Sequence, residues 1–213
     1  PAAPTLTNEV TTIAAFDPDV FISMTAGNPC LLAIQEVEAS GLYDRLSAAF
    51  TPSVCKGIAA YLAPAGMAAD GYWIVGGGAK DTTDSGKMDE PFIAFARDLI
   101  SDAGEDAGIS LTGEGVFRGY AFTEAFRIAD ALPGGMSRTN LMLALRNFKI
   151  YHPGLLDGLV TELKGNADAY FVEGSEYSKF NATDQTWEMI GDVVDANGGT
   201  PNCRWDKANG GCR

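Results

Sequence analysis

The amino-acid sequence predicts an α/β fold in which a parallel β-sheet is flanked by helices. Short apolar runs of strand length alternate with amphipathic runs of helical length, and Gly, Pro, Asn and Ser stand at the junctions. The first apolar run is continuous, which is typical of a parallel strand buried on both faces. Strands and helices in this order favour a layered sheet with right-handed crossovers.

The first helix-strand-helix unit lies near the start of the chain. Thr7–Phe16 has a cap residue and apolar side chains near helical spacing, and predicts a short surface helix. Asp19–Thr25 is the continuous apolar run and predicts a buried strand. The turn that follows predicts Asn28 as the N-cap residue and Pro29 as the first helical residue of a helix over Cys30–Ser40.

The same order then repeats along the chain. Strands are predicted over Leu46–Phe50 and Gly71–Val75, with a helix over Val54–Leu62 between them. A polar, glycine-rich loop follows the second of these strands. Further helices are predicted over Glu90–Ile100, Val116–Leu132 and Arg138–Asn147, and short strands over Tyr170–Glu173 and Thr186–Ile190.

Charge and hydropathy exclude some classes of function. The chain has 28 acidic and 15 basic residues and a formal charge of −13, which repels nucleic acids and anionic lipid surfaces. No run approaches the ~18 consecutive apolar residues of a membrane span. The chain begins at Pro1, without a methionine and without a signal-like segment. We therefore expect a trimmed product or a fragment whose signal peptide has been lost upstream.

The four cysteines are placed for disulfides and not for a metal. Cys203 and Cys212 flank a short polar loop with two glycines, which predicts a local disulfide and an oxidising compartment. Neither pair has the close spacing of common zinc sites, and His152 is the one histidine. No metal and no cofactor are predicted.

An ordered set of segments resembles a known family. The set comprises Asn8–Val10, Asp17–Ile22, the helix end Ala39–Leu42, Ala69–Gly76, Gly119–Tyr120, Asn140–Asn147 and the spaced glycines Gly154, Gly158 and Gly165. In order and spacing it is similar to type I periplasmic binding proteins of the branched-chain amino-acid type, over most of residues 5–195. The resemblance implies two α/β lobes with parallel sheets flanked by helices, joined by three crossing strands, with a small solute clamped between the lobes.

Against that family the first lobe is incomplete. The resemblance implies that residues 1–75 belong to the second lobe and that 76–158 cross into the first lobe. Residues 159–213 then return to the second lobe and end in the C-terminal disulfide loop. The N-terminal half of the family pattern is missing, so we expect this half as a partner and an exposed apolar surface where it is absent.

The resemblance also implies a ligand site at the carboxyl ends of the strands. Thr25, Ala26, Gly27 and Asn28 form one strand-end loop, which is otherwise an ordinary turn before a helix. The remaining predicted ligand-binding residues are Thr51 and Ser53 in the next loop and Arg118 in a helix that borders the cleft. A solvated helix-start arginine is the alternative for Arg118.

Two features of these loops bear on the solute and on a second disulfide. Amino-acid binders of the family carry an acid near the second loop and an aromatic residue at the position of Ala26, and this sequence has neither. A carboxylate-bearing or largely apolar solute is therefore favoured over an α-amino acid. Cys30 and Cys55 each follow one of the two loops, so we predict a disulfide between them; the alternative is a reactive thiol.

The predicted function is an extracytoplasmic solute-binding protein of an ABC importer, which delivers its solute to a membrane permease and is not an enzyme. Its expected location is the periplasm or, with a lipid anchor, the cell surface. The alternatives are a secreted α/β enzyme such as a hydrolase and the ligand-sensing domain of a receptor. A hydrolase is disfavoured because the sequence has no G-x-S-x-G motif and a single histidine.

Overall fold

A five-stranded mixed sheet forms the centre of the protein in the computed structural model, which describes residues 5–165, 167–199, 205–208 and 210–212. The strands of the described residues are β1 Val20–Ile22, β2 Ala48–Thr51, β3 Trp73–Val75, β4 Lys149–Ile150, β5 Thr161–Glu162, β6 Gly174–Ser175, β7 Tyr177–Asn181, β8 Thr186–Met189, β9 Val194–Asp195, β10 Trp205–Asp206 and β11 Gly211–Cys212. In the central sheet the order is β1-β2-β3-β7-β8. The other strands form two-stranded ribbons.

One half of the central sheet is parallel, as predicted, and the other half is antiparallel. Strands β1, β2 and β3 run parallel, with Phe50 beside Ile22 on one side and Trp73 on the other. Strand β7 pairs antiparallel with β3, and β8 pairs antiparallel with β7. The predicted α/β fold is confirmed, with a mixed central sheet. A short turn over residues 182–185 joins β7 to β8, and such a turn requires antiparallel strands.

The helices lie close to their predicted positions. They are α1 Thr7–Ala14, α2 Asn28–Ala39, α3 Pro91–Asp102, α4 Ser110–Ala131 and α5 Arg138–Arg146. Helix α4 begins before the predicted Val116, although its first turns contain glycines. Gly113 is required there, because a Cβ at that position would lie 2.0 Å from Thr82 Oγ1. Gly113 therefore reflects close packing against Thr82 and does not mark a helix boundary.

Two local predictions near the first turns were wrong. The N-cap residue of α2 is Gly27, with a φ of 67° that favours glycine, and Asn28 is already helical. The helix predicted over Val54–Leu62 is interrupted. A short 3₁₀ turn spans Ser53–Cys55, Gly57 takes a non-helical conformation, and Ile58–Leu62 is wound as a π-helix.

The main hydrophobic core fills the space between the central sheet and its first two helices. The residues buried there come from α2, from the π-helix and from both halves of the sheet. They include Ile34, Val37, Leu42, Leu62, Tyr72, Ile74 and Phe180. A smaller cluster of Phe92, Ile93 and Phe117 joins α3 to α4. The described residues therefore form two separate buried clusters.

The outer sides of α3, α4 and α5 expose large apolar side chains. The exposed residues of this surface are Phe95, Leu99, Phe126, Met142 and Leu143. We call this surface the exposed apolar face. Its presence agrees with the expectation of an uncovered apolar surface, and the assignment of residues 1–75, 76–158 and 159–213 to lobes stays a prediction. Within the described ranges, none of the helices is both long enough and apolar enough to span a bilayer.

Candidate functional site

A cleft of about 400 Å³ opens at the carboxyl edge of the parallel strands. Its floor follows the ends of β1, β2 and β3, and the first turns of α4 form the facing wall. The lining residues are Gly27, Ser53, Val54, Lys56, Gly57, Tyr61, Gly76, Gly77, Ala79, Lys80, Asp81, Ser110, Leu111, Glu114 and Arg118. This edge is where ligands bind in open α/β sheets, because loops and backbone N–H groups meet there.

The structure brings three of the predicted ligand-binding residues together in this cleft. Gly27, Ser53 and Arg118 line it, from the first loop, the second loop and α4 respectively. The other four lie beside it. Thr25 is half-buried, with its hydroxyl 2.8 Å from that of Ser23, and Ala26 and Asn28 are exposed outside the lining. Thr51 is buried under the second loop and has no hydrogen-bond partner for its hydroxyl among the described residues.

A disulfide joins the two strand-end loops. Cys30 and Cys55 are bonded with their Cα atoms 5.6 Å apart, which confirms the predicted pairing. Both side chains are buried, and because their sulfurs are bonded to each other the alternative of a reactive thiol is wrong. The bridge ties the loop that carries Gly27 to the loop that carries Ser53. The other predicted disulfide involves Cys203, which lies outside the described residues, and it stays a prediction.

Lys56, Lys80 and Arg118 line the cleft and differ in how strongly their charges are paired within the protein. Lys56 and Lys80 are nearly buried, with side chains 11% and 9% exposed, and each is paired with a glutamate. Arg118 is 78% exposed, and within the described residues it forms an ion pair with Glu114 at 3.3 Å, one turn away on the same helix. An exposed i,i+4 pair of this kind is weak. Arg118 is therefore the cleft cation best able to turn towards an anionic solute.

The carboxylates of the cleft are occupied by protein partners. Asp81 is buried and accepts hydrogen bonds from the backbone N–H groups of Ile58 and Thr83, at 2.6 and 2.9 Å. Glu114 is engaged with Arg118. Lys56, Asp81 and Glu114 were not predicted as site residues, since a charged residue in a polar loop or on a helix surface looks solvated in the sequence. Proximity to a strand end was the one available signal for Lys56 and Asp81.

A second, apolar pocket of about 530 Å³ adjoins the cleft and shares Gly77, Ala79, Glu114 and Arg118 with it. Its walls are aromatic and aliphatic side chains, among them Phe117, Phe122, Phe148, His152, Leu155 and Phe171. Phe122 is 55% exposed.

His152 is held neutral in the wall of the apolar pocket. It packs among the rings of Phe92, Phe117 and Tyr120, and burial lowers its pKa below the ordinary value. Its Nε2 lies 3.0 Å from the carbonyl oxygen of Phe117, and its Nδ1 accepts a hydrogen bond from the N–H of Gly154 at 3.2 Å. These partners assign the proton to Nε2.

Acidification should therefore destabilise the protein through His152. Below about pH 6.5 an unfolded histidine takes up a proton before the buried one does, so the unfolded state binds more protons. The free energy of unfolding is expected to fall as the pH is lowered from 7 towards 5.5. Urea unfolding across this range checks the slope, and His152→Gln should flatten it. An unchanged slope in that variant would contradict the assignment.

The comparisons with known proteins identify the fold. No family model and no curated protein sequence matches the chain. Among solved structures, a branched-chain amino-acid ABC transporter protein from Thermus thermophilus with bound valine superposes with a TM-score of 0.71 at 15% identity, covering 89% of this chain and 49% of that one. The chain has the fold of type I periplasmic solute-binding proteins.

Two further structures with this fold match over similar lengths. A solute-binding protein of an ABC transporter from R. palustris, in complex with 4-hydroxybenzoate, has a TM-score of 0.66 at 13% identity and covers 91% of this chain and 49% of that chain. The closed form of a leucine-, isoleucine-, valine-, threonine- and alanine-binding protein from Brucella ovis has a TM-score of 0.62 at 16% identity, with coverages of 94% and 49%. The chain thus spans about half the length of the solute-binding proteins it matches.

The periplasmic binding protein fold explains where the cleft lies. Ligands of open α/β sheets bind beyond the carboxyl ends of the strands, and this is the edge at which Gly27, Ser53 and Gly77 meet. In the part of the chain that the structure describes, no group of three or more His, Cys, Asp or Glu side chains is placed to hold a metal ion. The cleft offers backbone groups, hydroxyls and cations, which suit binding of an organic solute.

Proposed function

We propose that the chain is part of a solute-binding protein of an ABC importer, which clamps a small organic acid between two lobes and acts as a carrier, not an enzyme. The observation that carries the proposal is the cleft at the carboxyl edge of β1, β2 and β3, closed on its far side by α4. Closure of two lobes over a solute then presents the closed form to a permease.

The chemistry of the cleft favours a carboxylate. Arg118 is an exposed cation at the boundary between the cleft and the apolar pocket, and Ser53 and the Gly27 loop offer hydrogen-bond donors. Asp81 already accepts hydrogen bonds from two backbone N–H groups, so it is not free for a ligand ammonium group. The adjoining apolar pocket suits an aromatic or aliphatic body. An organic acid without an amino group fits this arrangement better than an α-amino acid.

The proposal also includes the N-terminal half of the protein, its location and the permease. The exposed apolar face of α3, α4 and α5 is the surface that the N-terminal half of the protein would cover, with the first-lobe sheet. A disulfide in the described chain supports an oxidising, extracytoplasmic location, in the periplasm or at the cell surface with a lipid anchor. The membrane permease of the importer is the expected recipient of the solute.

A thermal-shift panel on the full-length gene product tests the function. The panel contains aromatic acids, short aliphatic acids, branched-chain amino acids and uncharged amides. A solute at ~100-fold excess over its Kd adds about 2.7 kcal/mol to stability, which is readily seen as a higher Tm. We expect a shift with acids that lack an amino group. A shift with leucine-like solutes alone would contradict the solute class, and silence across the panel would favour the enzyme or receptor alternatives.

Arg118→Gln should weaken binding of the acid that gives the largest shift, roughly tenfold or more, because a charged hydrogen bond to the carboxylate is lost. Arg127→Gln is the matched control. Arg127 lies on the same helix, is similarly exposed and also has a glutamate partner on that helix, but it is outside the cleft lining. Titration calorimetry on both variants measures the effect. Equal affinities in the two variants would exclude Arg118 from the site.

A further inference from the structure

Three side chains from distant parts of the chain meet at the start of the Ile58–Leu62 π-helix. Asp81 Oδ2 accepts a hydrogen bond from the N–H of Ile58 at 2.6 Å. The hydroxyls of Thr83 and Ser110 both lie 3.2 Å from the N–H of Ala59, which they share as acceptors. The first N–H groups of a helix have no partner within the helix, so these contacts cap the segment.

The cap comes from outside because the local sequence cannot supply it. Gly57 precedes the π-helix and has no side chain to accept a hydrogen bond. The acceptors instead lie 23 residues away at Asp81 and 51 residues away at Ser110. Under the proposed division into lobes, Ile58 and Ala59 belong to one lobe and their acceptors to the segment that crosses into the other.

Asp81 is the centre of this group. Its Oδ1 accepts hydrogen bonds from both the N–H and the hydroxyl of Thr83, each at 2.9 Å, and the Thr83 and Ser110 hydroxyls lie 2.8 Å apart. The carboxylate is buried and lines the cleft together with Gly57 and Ser110. One side chain therefore orients both of the hydroxyls that complete the cap.

The start of α4 is seated directly on this segment. A Cβ placed on Gly57 would lie 3.0 Å from the Cβ of Ser110, so no water fits between the two backbones at this point. Ser110 begins α4, whereas Asp81 and Thr83 lie in the loop after β3. Opening of the cleft, which moves both of these segments away from the π-helix, would break the hydrogen bonds to Ile58 and Ala59. The intact cap is thus a property of the closed arrangement.

We propose that Asp81 is a positioning residue of the solute site, which joins the two walls of the cleft by capping the π-helix of one lobe from the other. This inference rests on the proposed function, since it assumes that the walls separate when solute leaves. Bound solute and the Asp81 cap both favour the closed form, so each strengthens the other. Asp81 can have this role without contacting the solute.

Amide hydrogen exchange in the unmodified full-length protein tests the inference without any substitution. Saturation with the acid found in the thermal-shift panel should slow exchange of the Ile58 and Ala59 amides at least tenfold. The Tyr61 amide is the internal control, because it donates to Gly57 within the same segment and should change less. Equal protection of all three amides with and without solute would overturn the proposal.

Asp81→Asn adds a second readout, because it replaces one acceptor oxygen with an NH₂ donor that faces a backbone N–H. We expect roughly tenfold weaker solute binding and the loss of solute-dependent protection at Ile58. Asp84→Asn is the matched control: Asp84 is also buried and accepts from the N–H groups of Gly86 and Trp187, but it does not line the cleft. Its affinity should stay within twofold of the unmodified protein.

The outcomes separate this inference from the proposed function. If no solute stabilises the unmodified protein, the proposed function fails and this inference fails with it. If solute binds, but Asp81→Asn binds it as tightly as Asp84→Asn does, the function stands and the role of Asp81 is wrong. Thr83→Val, which removes one hydroxyl and keeps the side-chain shape, gives the same test should Asp81→Asn not fold.

Discussion

Glu176→Ala is expected to lower the free energy of unfolding by about 3–5 kcal/mol, because it leaves the charge of Lys56 buried without its partner. The Glu176 side chain is 1% exposed; it contacts Lys56 Nζ and accepts a hydrogen bond from the N–H of Gly78 at 2.7 Å. Lys56 Nζ also donates to the carbonyl oxygen of Ala79 at 2.6 Å. The pair thus joins the connection between β6 and β7 to Lys56 and to the loop after β3.

Urea unfolding measures this loss of stability, and two further variants serve as comparisons. Glu124→Ala removes a carboxylate from an ion pair with the well-exposed Arg127 and should cost no more than about 1 kcal/mol. The double variant Lys56→Met, Glu176→Leu removes both buried charges and should recover much of the stability lost in Glu176→Ala. Similar losses for Glu176→Ala and Glu124→Ala would show that the pair is not buried in solution.

Removal of the Cys30–Cys55 disulfide is the second large change. The bridge closes a loop with a sequence separation of 25, and its loss should lower the free energy of unfolding by about 3 kcal/mol. It should also weaken solute binding, because Gly27 and Ser53 stand on the two loops that the bridge joins. Both effects follow from one covalent constraint at the edge of the cleft.

Urea unfolding and solute titration of Cys30→Ala, Cys55→Ala check this expectation. Adding a reductant to the double variant isolates any contribution of the predicted Cys203–Cys212 bridge, because Cys30 and Cys55 are then absent. A loss well below 1 kcal/mol in the double variant would contradict a structural role for the bridge. Unchanged solute affinity would mean that the two loops keep their geometry without it.

The parts of the fold that were predictable from sequence are those set by local patterns. Strands β1 to β3 are apolar runs bounded by turn residues, and the helices have helical spacing and clear breakers. Strand β7 was missed, although it lies inside the central sheet. Its inward positions are Ser178 and Phe180, and its outward positions are polar, so the run has little of the apolar character of a buried strand. Its pairing with β3 spans about a hundred residues.

The candidate site also contains residues that were predictable from sequence and residues that were not. Gly27 and Ser53 were predictable because strand-end loops bind ligands in this class of sheet. Lys56 and Asp81 were not, because their roles depend on partners far along the chain, at Glu176 and Ile58. The N-cap residue of α2 is Gly27 and not the predicted Asn28, because the backbone at Gly27 has a positive φ. Sequence patterns thus locate the edge of the site, and long-range contacts determine its walls.

The most direct test of the central claim is a crystal structure of the full-length protein with the acid that it binds most tightly. We expect the solute carboxylate to lie among Gly27, Ser53 and Arg118, with its apolar body directed towards Phe117 and Phe122. The walls should be closed, with Asp81 hydrogen-bonded to Ile58. A solute bound elsewhere on the protein, with this cleft empty, would contradict the claim.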